Sequence, residues 1–213
     1  MSFLNLKPGS VTVINNPALT DEVLARAEEP SGHPWLDDPA TASRTVISVG
    51  RLDRQKDFPT LIQALHRLRS EAMDLRLVIV GEGKERPSLE ALVRELRLQD
   101  SISLPGFSTN PWAFMKRAAL FVSSSAWEGF GNVHVEALGC GCPVVSTDSP
   151  SGPADILDNG RFGPLVPIGD VDALAQAMRK TLEQPLPADF LKARAMDFHV
   201  DKVIERYRTL MQL

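Results

Sequence analysis

From residue 44 onward the chain alternates short β-branched runs with amphipathic stretches, and this rhythm limits the possible folds more than any other feature. "RTVISVG" (44–50) and "LRLVIVG" (75–81) each carry the continuous apolar pattern of a strand buried on both faces, ending at glycine. A helical stripe follows each one: Leu61, Leu65 and Leu68 after the first, and Leu89, Leu92, Val93 and Leu96 after the second. Further strands are predicted at "SISL" (101–104), "LFVSSS" (120–125), "PVVST" (143–147) and "PLVPI" (164–168). Repeated β-α order predicts an α/β fold, a doubly wound parallel sheet with helices on both faces and right-handed crossovers. "VDALAQAMRKTL", "ADFLKARAM" and "VDKVIERYRTLM" read as three closing helices. Ahead of the alternation, "VTVINNP" (11–17) reads as a strand entering an Asn-Pro turn. "EEPSGHPWLDDPATAS" (28–43), rich in proline and small polar residues, reads as a loop or linker.

With 213 residues, 43% of them hydrophobic and 23% charged, one core can form without disulfide or metal staples. The net charge of −4 argues against nucleic acid or an anionic membrane surface as the main partner. The two cysteines, Cys140 and Cys142, lie inside one motif and give no export framework. The first residues lack a long apolar signal core, and no 18-residue apolar run occurs. A cytoplasmic protein without a transmembrane segment is expected.

In a doubly wound sheet, ligands bind beyond the carboxyl ends of the strands. Four segments fall there: "GRLDRQKD" (50–57), "GEGKERP" (81–87), "LPGFSTN" (104–110) and "SSSAWEGFGN" (123–132). Several residues in and near them have a plain structural reading. "GEG" (81–83) lacks the third glycine of a dinucleotide fingerprint, Arg86 standing in its place, and reads as a tight turn. "DVD" (170–172) imitates a metal-binding Asp-x-Asp but opens a helix, where aspartate caps free N–H groups. Cys140 and Cys142, between glycines and a proline, read as packing residues. His134 stands two residues from both Asn132 and Glu136, about 200° around a helix from each, and reads as solvent-facing or as lying behind the residues that would touch a ligand.

Arg51 and Lys56 flank the turn after the first strand. They form either a solvated surface pair or a fork and a point charge that converge on one anion. In "WEGFGNVHVEALGCGCPVV" (127–145), Gly129 and Gly131 let backbone approach a ligand, and a helix starting near Gly131 offers free N–H groups to phosphate or sugar hydroxyls. Glu128 lies on the loop beside it. Glu136, one turn into the helix on the face of Asn132, carries a carboxylate able to accept vicinal hydroxyls. Capping and a solvated face remain the alternatives for two isolated glutamates.

Taken together, "VGRLDRQKD", "VIVGEG", "ISLPGF", the Glu-x7-Glu segment 128–136, "ALGCGCPVVSTDSPSGPADI" and "GPLVPIGDVDALAQAM" resemble the donor-binding half of family 4 retaining glycosyltransferases of the two-Rossmann-domain (GT-B) type. The resemblance runs from residue 44 to about 184 and into the closing helices. It implies a Rossmann-like C-terminal domain over 44–213, preceded by an interdomain remnant over 1–43 in which "VTVINNP" matches the family's interdomain stretch. It also implies roles. Arg51 and Lys56, beside Gly50, would bind the nucleotide diphosphate, Glu136 the ribose, and Glu128 the donor-sugar hydroxyls. Backbone N–H groups of Gly129, Phe130, Gly131, Asn132 and Val133 would serve sugar and phosphate, and backbone from Leu104 to Phe107 would hold the base. Glu128, Arg51 and Lys56 would be the catalytic set, with no metal and no cofactor beyond a UDP- or GDP-linked sugar. Asp57 departs from the family's pattern, in which glycine commonly follows the lysine; its carboxylate either weakens diphosphate affinity or points outward.

The function implied is transfer of a sugar from a nucleoside diphosphate sugar to an acceptor hydroxyl, on a glycan or lipid-linked sugar, by front-face displacement. Residues 1–43 are too few for an N-terminal acceptor domain. The expectation is a donor domain that binds but does not transfer alone, cytoplasmic, with membrane association open to the full-length protein. Two alternatives stand beside it: half of a sugar-nucleotide epimerase on the same scaffold, and a non-catalytic nucleotide-sugar-binding or interaction module.

Overall fold

The computed structural model describes residues 11–212. Residues 1–10, part of the expected interdomain remnant, lie outside them. The described chain opens without a strand. "VTVINNP" runs without strand pairing, and only an isolated bridge between Leu19 and His199 follows it. Then come α1 (Asp21–Ala27), α2 (Pro34–Asp37) and α3 (Pro39–Ala42). The stretch expected to be a loop therefore holds two short helices. Each begins on a proline, which lacks only an N–H that a helix start leaves unused, and each is capped by the residue before it, His33 or Asp38.

The alternation follows as expected: β1 (Thr45–Val49), α4 (Phe58–Ser70), β2 (Arg76–Val80), α5 (Arg86–Glu95), β3 (Ile102–Gly106), α6 (Pro111–Arg117), β4 (Leu120–Ser123), α7 (Asn132–Gly139), β5 (Val144–Thr147), α8 (Pro153–Ile156) and β6 (Leu165–Val166). Three closing helices complete it: α9 (Val171–Glu183), α10 (Ala188–Ala195) and α11 (Val200–Met211). The six strands form one parallel sheet in the order β3-β2-β1-β4-β5-β6.

Because strand side chains alternate faces, the four central strands β1, β2, β4 and β5 each feed two cores. Ile47, Val78, Phe121 and Val144 pack with α1, α6, α7 and α10 on one side. Val46, Leu77, Leu120 and Val145 pack with α4, α5 and α9 on the other. Both stripes read from the sequence face inward, with Leu61, Leu65, Leu68, Leu89 and Val93 buried. Asp170 caps α9 by accepting the Ala173 N–H at 2.9 Å, the role expected of it. Cys140 and Cys142 are buried and unpaired, as packing residues should be, and burial pushes the Cys140 thiol up to about 12. Among the described residues no helix is long and apolar enough to cross a membrane.

Candidate functional site

From β1 the chain moves on to β2, and from β4 to β5, so the loops after these two central neighbours diverge and leave a crevice at the strand carboxyl ends. The loops are tied to each other. Gln55 accepts the Ala126 N–H at 2.8 Å through its carbonyl and donates from Nε2 to the Trp127 carbonyl at 2.9 Å. Ser124 Oγ donates to the Lys56 carbonyl at 2.8 Å. Thr147 Oγ1 on β5 donates to the Ser125 carbonyl at 2.6 Å. Gly152 brings in the loop after β5: its φ is +82°, and a Cβ there would fall 1.8 Å from the Phe130 carbonyl oxygen.

Lys56 and Glu128 meet across this crevice. Lys56 Nζ lies 2.7 Å from Glu128 Oε1, and the Ser125 hydroxyl donates to the same oxygen at 2.7 Å. The lysine reaches it by running along Gly50, where any Cβ would come within 2.8 Å of Lys56 Cε. Their side chains are only 15% and 7% exposed. Burial pushes the Glu128 carboxyl up, but hydrogen bonds from Lys56 and Ser125 outweigh it and hold the group below the ordinary carboxylate range. Arg51 behaves differently. It is 79% exposed and lies 3.4 Å from Asp53, so the expected convergence of Arg51 with Lys56 on one point is not the arrangement here: Lys56 is held by a carboxylate of its own.

α7 begins at Gly131, whose φ of +86° is a left-handed conformation, and among the described residues no side chain caps its N-terminus. The helix start expected near Gly131 is therefore found; the His134 N–H is taken by the Gly131 carbonyl, which leaves the N–H groups of Asn132 and Val133 open. Beside Gly129 a Cβ would meet nothing within 4 Å. Asn132 Oδ1 is approached at 3.5 Å by Asn16 Nδ2, which carries residues 11–17 to the crevice edge. Glu136 is half-buried against α6; burial pushes its carboxyl up, and the Trp112 indole opposes this. That indole Nε1 is itself buried and closes no full hydrogen bond among the described residues.

On the other side of Arg51 lies a cleft of about 310 Å³ lined by Val49, Gly50, Arg51, Gly81, Phe107 and Pro111. Phe107 is 75% exposed and forms its outer wall. Gly81 and Gly83 serve close backbone approach: a Cβ on either would fall 1.9 Å from the Gly50 carbonyl oxygen or 2.3 Å from that of Leu52. Leu104 does not reach the cleft. Its carbonyl accepts two N–H groups of Arg86 at 3.2 Å each, and its side chain packs into the α4, α5, α9 core. Asp57 settles outward: its Oδ2 accepts the Thr60 hydroxyl at 2.7 Å at the start of α4.

His134 is not solvent-facing. It is fully buried between α7 and the sheet, 2.9 Å from both the Gly131 carbonyl and Ser146 Oγ. Ser125 and Gln55 are further members of the site that its motifs do not single out. The run "SSS" closing an apolar strand was the available signal, since hydroxyls at a strand's carboxyl end have loops to hold.

Residues 38–196 match the family model described as glycosyl transferases group 1, well over half of the chain. The chain belongs to this family. It is 40% identical over 152 residues to the Campylobacter jejuni N-acetylgalactosamine-N,N'-diacetylbacillosaminyl-diphospho-undecaprenol 4-alpha-N-acetylgalactosaminyltransferase, covering 71% of this chain and 41% of that protein. It is 36% identical over 172 residues to the Rhizobium meliloti lipopolysaccharide core biosynthesis glycosyltransferase LpsE, covering 80% of this chain and 47% of that protein. The chain thus spans less than half the length of these curated relatives. Among solved structures it is similar to the lipopolysaccharide outer core galactosyltransferase WaaB, with a TM-score of 0.78 at 22% identity over 98% of this chain and 58% of that one. It is also similar to Anabaena HepE in complex with UDP, with a TM-score of 0.71 at 24% identity over 81% of this chain and 50% of that one. At these identities the likeness is one of fold: the Rossmann-like parallel sheet of GT-B glycosyltransferases.

Proposed function

We propose that this chain supplies the donor-binding part of a retaining, metal-independent glycosyltransferase, and that residues 44–213 form its nucleotide-sugar domain. The observation that carries the reading is the crevice itself: the Lys56–Glu128 pair joins the loops after β1 and β4, the loop carrying Glu128 runs into the uncapped N-terminus of α7, and Arg51 on the loop after β1 lines an apolar cleft. A nucleoside diphosphate sugar has matching parts. Its base fits the cleft beside Phe107, its ribose hydroxyls suit Glu136, and its diphosphate suits Arg51 and the helix N-terminus. Glu128, already ion-paired, would share its second oxygen with a sugar hydroxyl while Lys56 turns toward the departing phosphate.

The reaction so assigned is front-face displacement. The acceptor oxygen forms a bond to the anomeric carbon as the bond to the diphosphate breaks, and the leaving phosphate takes the acceptor's proton. Arg51, Lys56 and the helix dipole neutralise charge growing on the diphosphate; removing one such preorganised donor typically costs ~10²–10³ in rate. The acceptor, a glycan or lipid-linked sugar, would be positioned by a further domain. Membership of a transferase family weighs against the epimerase alternative. The test is calorimetric titration of the 213-residue chain with UDP-sugars, GDP-sugars, free diphosphates and nucleosides. One class should bind saturably, and Arg51→Ala should weaken its diphosphate at least about tenfold while leaving the nucleoside within about twofold. Equal losses for both would remove Arg51 from the site.

A further inference from the structure

The turn from Gly129 to Val133 is supported from beneath by a side chain that no ligand could touch. His134 is fully buried on α7, and its ring stands edge-on to Phe121 of β4. Nδ1 lies 2.9 Å from the Gly131 carbonyl oxygen, which also accepts the His134 backbone N–H at 2.9 Å. Nε2 lies 2.9 Å from Ser146 Oγ on β5. A carbonyl oxygen can only accept, so Nδ1 must carry a proton. Burial holds the ring neutral by pushing its pKa down, so Nε2 is an acceptor, and the Ser146 hydroxyl, which also lies 2.9 Å from the Thr147 carbonyl, divides its one proton between the two.

This arrangement aims the peptide that follows Gly131. In a trans peptide the C=O and the next N–H point in opposite directions, and the described residues contain no cis bond. With the Gly131 oxygen drawn inward onto His134, the Asn132 N–H is turned outward at the open end of α7. Glycine and histidine are fitted to each other here. At φ +86° a side chain is strained, and a Cβ on Gly131 would stand 2.7 Å from His134 Nδ1.

We propose that His134 is a positioning residue for the donor diphosphate, acting through the Gly131–Asn132 peptide by fixing its plane so that the Asn132 N–H faces the phosphate. The inference rests on the donor-site reading above and deepens it. His134 itself makes no contact with donor or acceptor.

The experiment compares wild-type chain, His134→Asn, His134→Leu and Ser146→Ala, each titrated with UDP and uridine, or with GDP and guanosine if the donor panel selects guanine. An asparagine amide can place its N–H near the position of imidazole Nδ1–H, whereas leucine fills space without a donor. His134→Leu should lose about tenfold or more in diphosphate affinity but less than about threefold for the nucleoside, and His134→Asn should recover to within about threefold of wild type. Ser146→Ala, which keeps the bond to Gly131, should stay close to wild type. Urea unfolding of each variant establishes that folded protein is compared. A ¹⁵N spectrum of the unliganded wild type should show a neutral ring protonated at Nδ1. A folded leucine variant that binds the diphosphate like wild type, equal losses for diphosphate and nucleoside, an asparagine variant no better than leucine, or a ring protonated at Nε2 alone would each overturn the proposal. If wild type binds no nucleoside diphosphate, the donor-site reading falls and takes this one with it. If wild type binds and leucine is indifferent, only this one falls.

Discussion

Lys56 and Arg51 looked equivalent in the sequence, two cations five positions apart, and the structure separates them by what each already touches. Removing Lys56 strands the Glu128 carboxylate, only 7% exposed, so Lys56→Ala should cost about 3–5 kcal/mol of stability. Arg51, 79% exposed, should cost no more than about 0.5 kcal/mol. Urea unfolding measures both; a Lys56→Ala loss under about 1 kcal/mol would show that the pair does not hold the loops together. A linked expectation concerns Glu136, whose carboxyl is raised by burial. A raised carboxyl pKa means the folded state binds more protons than the unfolded one, so its cost begins above the unfolded value and is complete above the folded value. Glu136→Gln should therefore be more stable than wild type at pH 7, with the advantage fading as pH falls from the raised folded value toward the unfolded one and gone below about 4. If ribose binding needs the carboxylate, the same variant should bind nucleotide less well at pH 7 and lose wild type's gain in affinity with rising pH. His134 shows what residue-level reading left out. Its angle, 200° away from the crevice residues, was derived correctly, but on a helix lying against a sheet that direction leads into the core rather than to solvent.

Among the elements, the helix starts are the most informative. Asp57, between Lys56 and α4, has φ +43° and ψ +46°, a left-handed position that glycine occupies without strain. The aspartate tolerates it by accepting the Thr60 hydroxyl, and its carboxylate is thereby committed to the start of α4. Asp57→Gly should change stability by less than about 1 kcal/mol, strain relief offsetting the lost bond and the added backbone freedom, while Asp57→Val should cost about 1–3 kcal/mol. Thermal unfolding of the two variants checks the ordering; equal costs would remove backbone strain as the explanation. The strands and long helices were legible because buried β-branched runs and apolar stripes are sequence-local signals. The short helices at 34–42 were not, because their prolines read equally as breakers and as helix starts, and only tertiary packing decides, with Leu36 of α2 set in the core beside Phe114 of α6. "VTVINNP" failed for the opposite reason: its alternation is that of a strand, but it finds no sheet edge among the described residues.

Across the whole molecule, a six-stranded parallel sheet places the loops that follow its strands at one end, and glycines with no room for a Cβ bring those loops together: Gly81 against Gly50, Gly83 against Leu52, Gly152 against Phe130. The order of motifs was enough to foresee that end of the sheet, but not the ion pair that occupies it or the histidine that supports it, since both depend on contacts between segments far apart in sequence. Every role proposed for this chain depends on the crevice receiving a nucleotide's diphosphate. That binding is tested most directly by the crystal structure of the chain with whichever nucleoside diphosphate binds it. Phosphate oxygens should lie within about 3.2 Å of the Asn132 or Val133 N–H and of the Arg51 guanidinium, with the base in the cleft beside Phe107. This arrangement would be contradicted by a nucleotide whose diphosphate turns away from the α7 N-terminus, or one bound in the cavity between the start of β5 and α9 near Lys180 and Gln184 while the crevice stays empty.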